Sequence, residues 1–329
     1  RVTCAKGEEE KFLKDLEDIS SRRLRLGLEL LDEEDWDLFW IVFTFTDRTQ
    51  HYMWKYADRN HPMYDPEGAL RYGDKIRRAY ERADRYLGEF MKRLGENDLL
   101  IVLSDHGFGP VYYTINTRNF IYRAARTRTD IICADFFGGK FKIAVSGRNS
   151  EEKYLNLRKM LVDALYDLTD PISGNRIVDS VYVKEEIYQG PYVDGAPDVI
   201  CLEKPGYLFF SLQWTPDLRL FDEGPNPDMI FSGFHRRRGS IGLLGKVVKP
   251  GCHLEAKIID VTPLILTFLG VPIPGETDGS VPLRFFREEF RSRLTPVRSS
   301  RSGYKKPTGL ESQDWQKIEK QLKSVGYIQ

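Results

Sequence analysis

Leu38-Phe39-Trp40-Ile41-Val42-Phe43-Thr44-Phe45-Thr46 runs into Asp47 and His51, and Leu99-Leu100-Ile101-Val102-Leu103-Ser104 runs into Asp105-His106. Each is an apolar run of strand length that ends in residues of metal-ligand type. Between them Asp65-Pro66 opens an amphipathic segment, with Ala69, Tyr72, Ile76, Ala79, Tyr80, Ala83, Leu87, Phe90 and Leu94 at helical spacing and Gly95 as its stop. Strand, helix, strand predicts a crossover, which makes the two strands parallel and brings both carboxyl ends to one edge of a sheet. Asp47, His51, Asp105 and His106 are therefore expected together where open α/β sheets place their ligands.

The 329 residues suffice for one large or two ordinary domains, and a hydrophobic content of 41% marks a globular chain. Lys+Arg and Asp+Glu are both 49, so no global field argues for nucleic acid or an anionic membrane surface, and no nucleic-acid partner is expected. Cys4, Cys133, Cys201 and Cys252 are scattered singly, which favours a reducing, cytoplasmic compartment. No apolar run reaches the roughly 20 residues of a bilayer span, and the chain begins at Arg1 without a signal-peptide layout, as a processed or truncated product would.

Glu8 to Leu31 reads as an amphipathic helix, and the stretch from Pro110 to about Thr129 as irregular. Asp130–Ala134 and Lys140–Val145 read as a hairpin around Gly138-Gly139, and Glu151–Leu168 as a helix. Strands are expected at Ile177–Val183, Asp198–Leu202 and Ser240–Gly245, the last of them buried. A turn-rich loop spans Asp222–Asp228, and Thr262-Pro263 starts a short helix that Gly270 stops. Arg291–Lys306 reads as an extended tail segment, followed by an amphipathic helix over Ser312–Val325. The predicted organisation is an α/β core part over 1–111, a variable insertion or cap over 112–195, a second core part over 196–290, and a tail over 291–329.

Positions four apart share a helix face, so Asp47 and His51 could hold one divalent ion; Asp47 as a helix cap beside a packed His51 fits the same spacing. Asp105-His106 at the end of an apolar strand costs desolvation unless a metal or a tight turn compensates it, and Gly107 and Gly109 allow that turn. His235, in a loop ahead of a strand, would complete a three-ligand site with one open position; an exposed loop histidine is the alternative. Arg236 to Arg238 read as a solvated charge run or a phosphate contact, and His61 and His253 as structural or surface residues. Ser104-Asp105-His106 cannot form a catalytic triad within one strand, and neither a G-x-S-x-G elbow nor a phosphate-binding glycine loop is present.

These blocks, together with His61-Pro62-Met63-Tyr64-Asp65, Gly233-Phe234-His235 and Ile259-Asp260-Val261-Thr262-Pro263 through Asp278-Gly279, resemble the type I phosphodiesterase/nucleotide pyrophosphatase family of the alkaline phosphatase superfamily. The resemblance implies a three-layer sandwich with a mostly parallel central sheet and a variable cap. It also implies two divalent ions, usually zinc with manganese an alternative, bound by Asp47, His51 and His235 at one site and by Asp105 and His106 at the other. The implied reaction is in-line displacement on a small phosphate ester or nucleotide-like substrate, through a covalent intermediate. The family's nucleophile and its first-strand aspartate have no counterpart before Asp47 and are expected upstream of Arg1. A non-catalytic metal- or partner-binding protein and a head-group phosphotransferase are the competing expectations.

Overall fold

The computed structural model describes residues 4–299 other than 6, 127–129, 134–137, 148–149, 211–219, 222–230, 254, 292–293 and 295. The turn expected over Asp222–Asp228 and the helix expected over Ser312–Val325 lie outside the described residues, as does most of the tail from Arg291. Helices α1 (Glu9–Glu33), α2 (Phe45–Ala57), α3 (Pro66–Tyr72), α4 (Lys75–Met91), α5 (Thr117–Ala125), α6 (Ser150–Tyr166), α7 (Lys184–Ile187) and α8 (Val261–Phe268) mix with strands β1 (Leu100–Leu103), β2 (Gly107–Asn116), β3 (Ile131–Cys133), β4 (Gly139–Ile143), β5 (Val178–Val183), β6 (Val199–Glu203), β7 (Gly206–Phe210), β8 (Gly233–Arg236) and β9 (Ile241–Leu244). The chain divides into two units, one of Arg1–Phe45, Tyr80–Gly107 and Arg237–Gln329, the other of Thr46–Ala79 and Phe108–Arg236.

In the first unit the run from Leu38 to Thr44 is neither strand nor helix, and Phe45 already begins α2. Phe39 and Phe43 pack on Phe90, and Phe43 also meets Tyr86, so the odd-numbered residues lie against α4. Leu38, Trp40 and Val42 on the opposite side are 52%, 59% and 45% exposed. A run apolar on both faces needs cover on both to sit inside a sheet, and here one face has none among the described residues. Arg23 donates to the Val42 carbonyl in place of a neighbouring strand. The expected parallel partner of this run, β1, instead pairs antiparallel with β9, Leu100 opposite Leu244 and Leu103 opposite Ile241. One face of that ribbon, through Leu99, Ile101 and Leu243, packs on a core of Leu264, Phe285 and Phe286. β9 is accordingly half-exposed rather than buried.

The segment after Asp65 does start as expected, with the Asp65 carboxylate accepting from Glu67 N–H at 3.0 Å. It breaks at Gly73-Asp74 into α3 and α4, where a helix continuous to Leu94 was expected. Gly270, at φ +69°, ends α8, the left-handed conformation a glycine adopts without strain.

Strands of the second unit form two sheets, ordered β7-β2-β8 and β3-β4-β6-β5. β2 runs parallel to β7, whereas β3, β4, β6 and β5 pair antiparallel throughout. Among the described residues the strands therefore fall into small separate sheets, and the mostly parallel central sheet expected from the sequence is not seen among them. β4 alternates with period two, burying Phe141 and Ile143 while Lys140 faces solvent. α6 lays Leu157, Leu161 and Leu165, four apart, on the same core as Phe141, Ile177, Val199 and Phe209. The stretch from Pro110, irregular by sequence, is β2 followed by α5, with the Asn116 side chain capping the helix at Asn119 N–H.

Asp198 is the charged centre of this unit. Its carboxylate accepts from Ile143 N–H at 2.7 Å, Lys184 Nζ at 2.9 Å and the Tyr154 hydroxyl at 3.0 Å. Burial opposes the charge, but these donors outweigh it and hold the carboxyl below the usual range. A depressed carboxyl contributes stability that is full above its unfolded value of about 4 and is lost as pH falls through the folded value. Asp198→Asn, which leaves the partly covered Lys184 ammonium without its counter-ion, is expected to cost about 2 kcal/mol at neutral pH. Urea unfolding of both proteins checks this, and the gap between them should narrow as pH drops below about 4.

Candidate metal centre

Because α2 begins at Phe45, Asp47 falls in its first turn, where the helix terminus favours a carboxylate. His51 follows one turn later on the same face. His235 comes from β8, which is a strand and not the expected loop. Asp47 Oδ1 lies 3.0 Å from His235 Nε2 and 3.4 Å from His51 Nε2, and the two imidazole nitrogens are 3.1 Å apart. Ligands placed tetrahedrally on zinc at the usual bond lengths stand about 3.3 Å from one another. The triangle thus has the size of a metal-ligand face, and these three residues form a group able to hold an ion.

The chemistry of the partners assigns the protons. A carbonyl oxygen only accepts, so His51 Nδ1, 3.0 Å from the Gly233 oxygen, carries a hydrogen, and Nε2 is the ring nitrogen left facing Asp47 and His235. A carboxylate only accepts, so His235 Nε2 donates to Asp47. Burial works against the Asp47 charge, yet the His235 hydrogen bond and the contact with His51 outweigh it and hold the carboxyl far below the usual range. One carboxylate oxygen and two imidazole nitrogens thus converge, a donor set that a divalent cation would satisfy on displacing the protons held between them. His51 is buried, whereas the side chains of Asp47 and His235 are 26% and 39% exposed, so the cluster has a closed floor and an open side.

Aromatic rings fix the imidazoles. Phe108 meets His51 edge-on at 4.9 Å, Phe231 approaches it at 4.7 Å, and Phe234 stacks on His235 at 4.6 Å. Trp54, one turn after Gln50 on α2, stacks in turn on Phe108. α2 and β8 approach closely enough that a Cβ on Gly233 would lie 2.7 Å from the Gln50 carbonyl oxygen and 3.0 Å from the Phe108 ring. Ser232 N–H donates to the His51 carbonyl at 2.7 Å across the same gap.

The structure brings together Asp47, His51 and His235. Asp105 and His106 lie after β1 in the other unit, where His106 Nε2 is 3.4 Å from Asp105 Oδ1 and Asp105 is largely exposed. His253 is exposed. Arg236 is turned inward and donates through Nη2 to the Pro110 carbonyl at 2.6 Å, packed against Gly109, while Arg237 and Arg238 are exposed. His61, read from sequence as structural or surface, is 3% exposed with both ring nitrogens engaged. Its burial could not be read from a lone histidine before a proline.

The sequence model of the family described as type I phosphodiesterase/nucleotide pyrophosphatase matches residues 7–229, and the chain belongs to that family. The matched span includes Asp47, His51, Asp105 and His106 and ends before His235. No curated protein matches the sequence. Among solved structures, the chain is similar to human ectonucleotide pyrophosphatase/phosphodiesterase 5, with 15% identity and a TM-score of 0.42 over 78% of this chain and 59% of that one. It is also similar to phosphonoacetate hydrolase from Sinorhizobium meliloti 1021, solved in complex with phosphonoformate, with 16% identity and a TM-score of 0.38 over 70% of this chain and 51% of that one. The chain therefore spans little more than half the length of these relatives. No helix among the described residues is long and apolar enough to cross a membrane.

The approach at Gly233 is the most sensitive packing point of the centre. Gly233→Ala should push β8 from α2 and weaken Zn²⁺ binding by about tenfold, the scale of changes to groups that support a ligand. Calorimetric titration of the two proteins measures it.

Proposed function

We propose that the protein is a divalent-metal-dependent phosphoric ester hydrolase of the phosphodiesterase/nucleotide pyrophosphatase type. Asp47, His51 and His235 hold one ion, zinc or alternatively manganese, and Asp105 and His106 contribute to a second. The observation that carries this reading is the convergence of one carboxylate and two imidazoles, from α2 and β8, at ligand spacing. Membership of the family supports the reaction class.

A divalent ion at such a centre supplies Lewis acidity to a phosphoryl oxygen and offsets the charge that develops as the ester is displaced. The chain's own residues prepare for it. Asp47 stays ionised and brings a negative charge that favours a cation. His51 directs Nε2 toward the centre because its Nδ1–H donates to the Gly233 carbonyl. The rings of Phe108, Phe231 and Phe234 shield the floor from water, which strengthens every electrostatic interaction there. The open side, between the half-exposed Asp47 and His235, is where a small phosphate ester or nucleotide-like substrate would reach the centre.

Asp47→Asn and His235→Ala should each lower Zn²⁺ affinity by at least about a hundredfold, more than the loss of a supporting group costs. Metal analysis after gel filtration tests the assignment, and unchanged metal content in both variants would overturn it. Hydrolysis of bis(p-nitrophenyl) phosphate by the intact protein is expected to vanish on chelation and to return with added Zn²⁺ or Mn²⁺.

A further inference from the structure

His61 makes a chain of contacts that ends on His51. Its Nε2–H donates to the Ser232 carbonyl at 3.0 Å, and its Nδ1 accepts Met63 N–H at 3.0 Å, so the ring is neutral with a fixed tautomer. Ser232 N–H donates in turn to the His51 carbonyl at 2.7 Å, and the next residue, Gly233, accepts from His51 Nδ1–H at 3.0 Å. Val111 N–H shares the Ser232 oxygen with His61 at 3.0 Å. The Tyr112 ring stands edge-on to the imidazole at 5.6 Å and anchors itself through its hydroxyl on Asp58 at 2.7 Å, while the Asp58 carbonyl accepts His61 N–H at 3.1 Å.

A site that only required packing would be filled more favourably by an apolar side chain, since burying a polar ring costs free energy that its hydrogen bonds must return. Here both ring nitrogens are spent on backbone groups, and one of them, the Ser232 carbonyl, lies one peptide unit before the Gly233 carbonyl that accepts from His51 Nδ1–H. We infer that His61 is a positioning residue for the metal centre, holding the Ser232–Gly233 backbone where it accepts the His51 Nδ1 proton and thereby keeps His51 Nε2 directed at Asp47 and His235. This rests on the metal-centre reading above. Burial holds the His61 ring neutral against the raising influence of the Ser232 and Val111 carbonyls, in keeping with its role as a single-proton donor.

Two variants separate positioning from packing. His61→Leu removes the donor, whereas His61→Gln can place an amide N–H where Nε2–H now stands. Nitrogen-15 NMR of the His51 ring in the metal-free protein should show the Nδ1–H tautomer in the unmodified chain and in His61→Gln, and a tautomer mixture in His61→Leu. Co²⁺ titration should show affinity retained in His61→Gln and lowered about 10–100-fold in His61→Leu. A folded His61→Leu protein with an unchanged His51 tautomer and unchanged Co²⁺ affinity would overturn the inference. Should His61→Leu fail to fold, His61→Gln decides: an intact tautomer supports the role and a mixture overturns it. An unmodified chain that binds no Co²⁺ counts against the metal reading itself, and the tautomer comparison then still judges His61.

Discussion

The hydrogen bond from His51 Nδ1–H to the Gly233 carbonyl joins residues 182 positions apart, and the candidate centre is organised around it. With the Ser232 N–H donated back to the His51 carbonyl, it fixes α2 against β8 at a separation only a glycine tolerates. Each such bond contributes about 1 kcal/mol net, too little to hold the arrangement alone. The rings of Phe108, Phe231 and Phe234 add the apolar contact that excludes competing water. Metal bound to this state and not to the unfolded chain would stabilise it further through mass action.

Two carboxylates in the same unit show how a structural charge differs from one built for chemistry. Asp198 is closed: a backbone N–H, a tyrosine hydroxyl and the Lys184 ammonium use its acceptor capacity, and none of these gives way near neutral pH. Asp47 faces imidazoles, whose nitrogens exchange a proton for a metal ion without leaving a permanent charge behind. Both carboxyls are held below their usual range, so the direction of the shift does not separate the roles. The identity of the partner does.

Much of the fold was legible in local pattern. α1, α6, β3, β4, β5, β6 and α8 all appear where apolar runs, hydrophobic period and turn residues placed them. The run from Leu38 to Thr46 failed for the opposite reason: with apolar residues at every position it carries no information about which face is covered or by what. Helical spacing continues through Gly73-Asp74, so the break between α3 and α4 left no gap in the pattern. At the centre, the Asp47–His51 spacing was readable because one helical turn determines it. His235 was suggested by its residue type and by the Gly233-Phe234-His235 block of the family resemblance, and its strand was hidden by the charges that follow it. The pairing of that strand with the first turn of α2, like the burial of His61, is tertiary information that no local period encodes.

The uncovered side of Leu38 to Thr44 bears on how the chain behaves in solution. Seven consecutive residues lie outside any helix or strand, without a strand partner among the described residues, and Leu38, Trp40 and Val42 are exposed along them. Such an edge, apolar at alternate positions and free of proline or charge, is a template on which another extended peptide can add hydrogen bonds and bury surface together. Copies of the chain are therefore expected to associate through this run as their concentration rises.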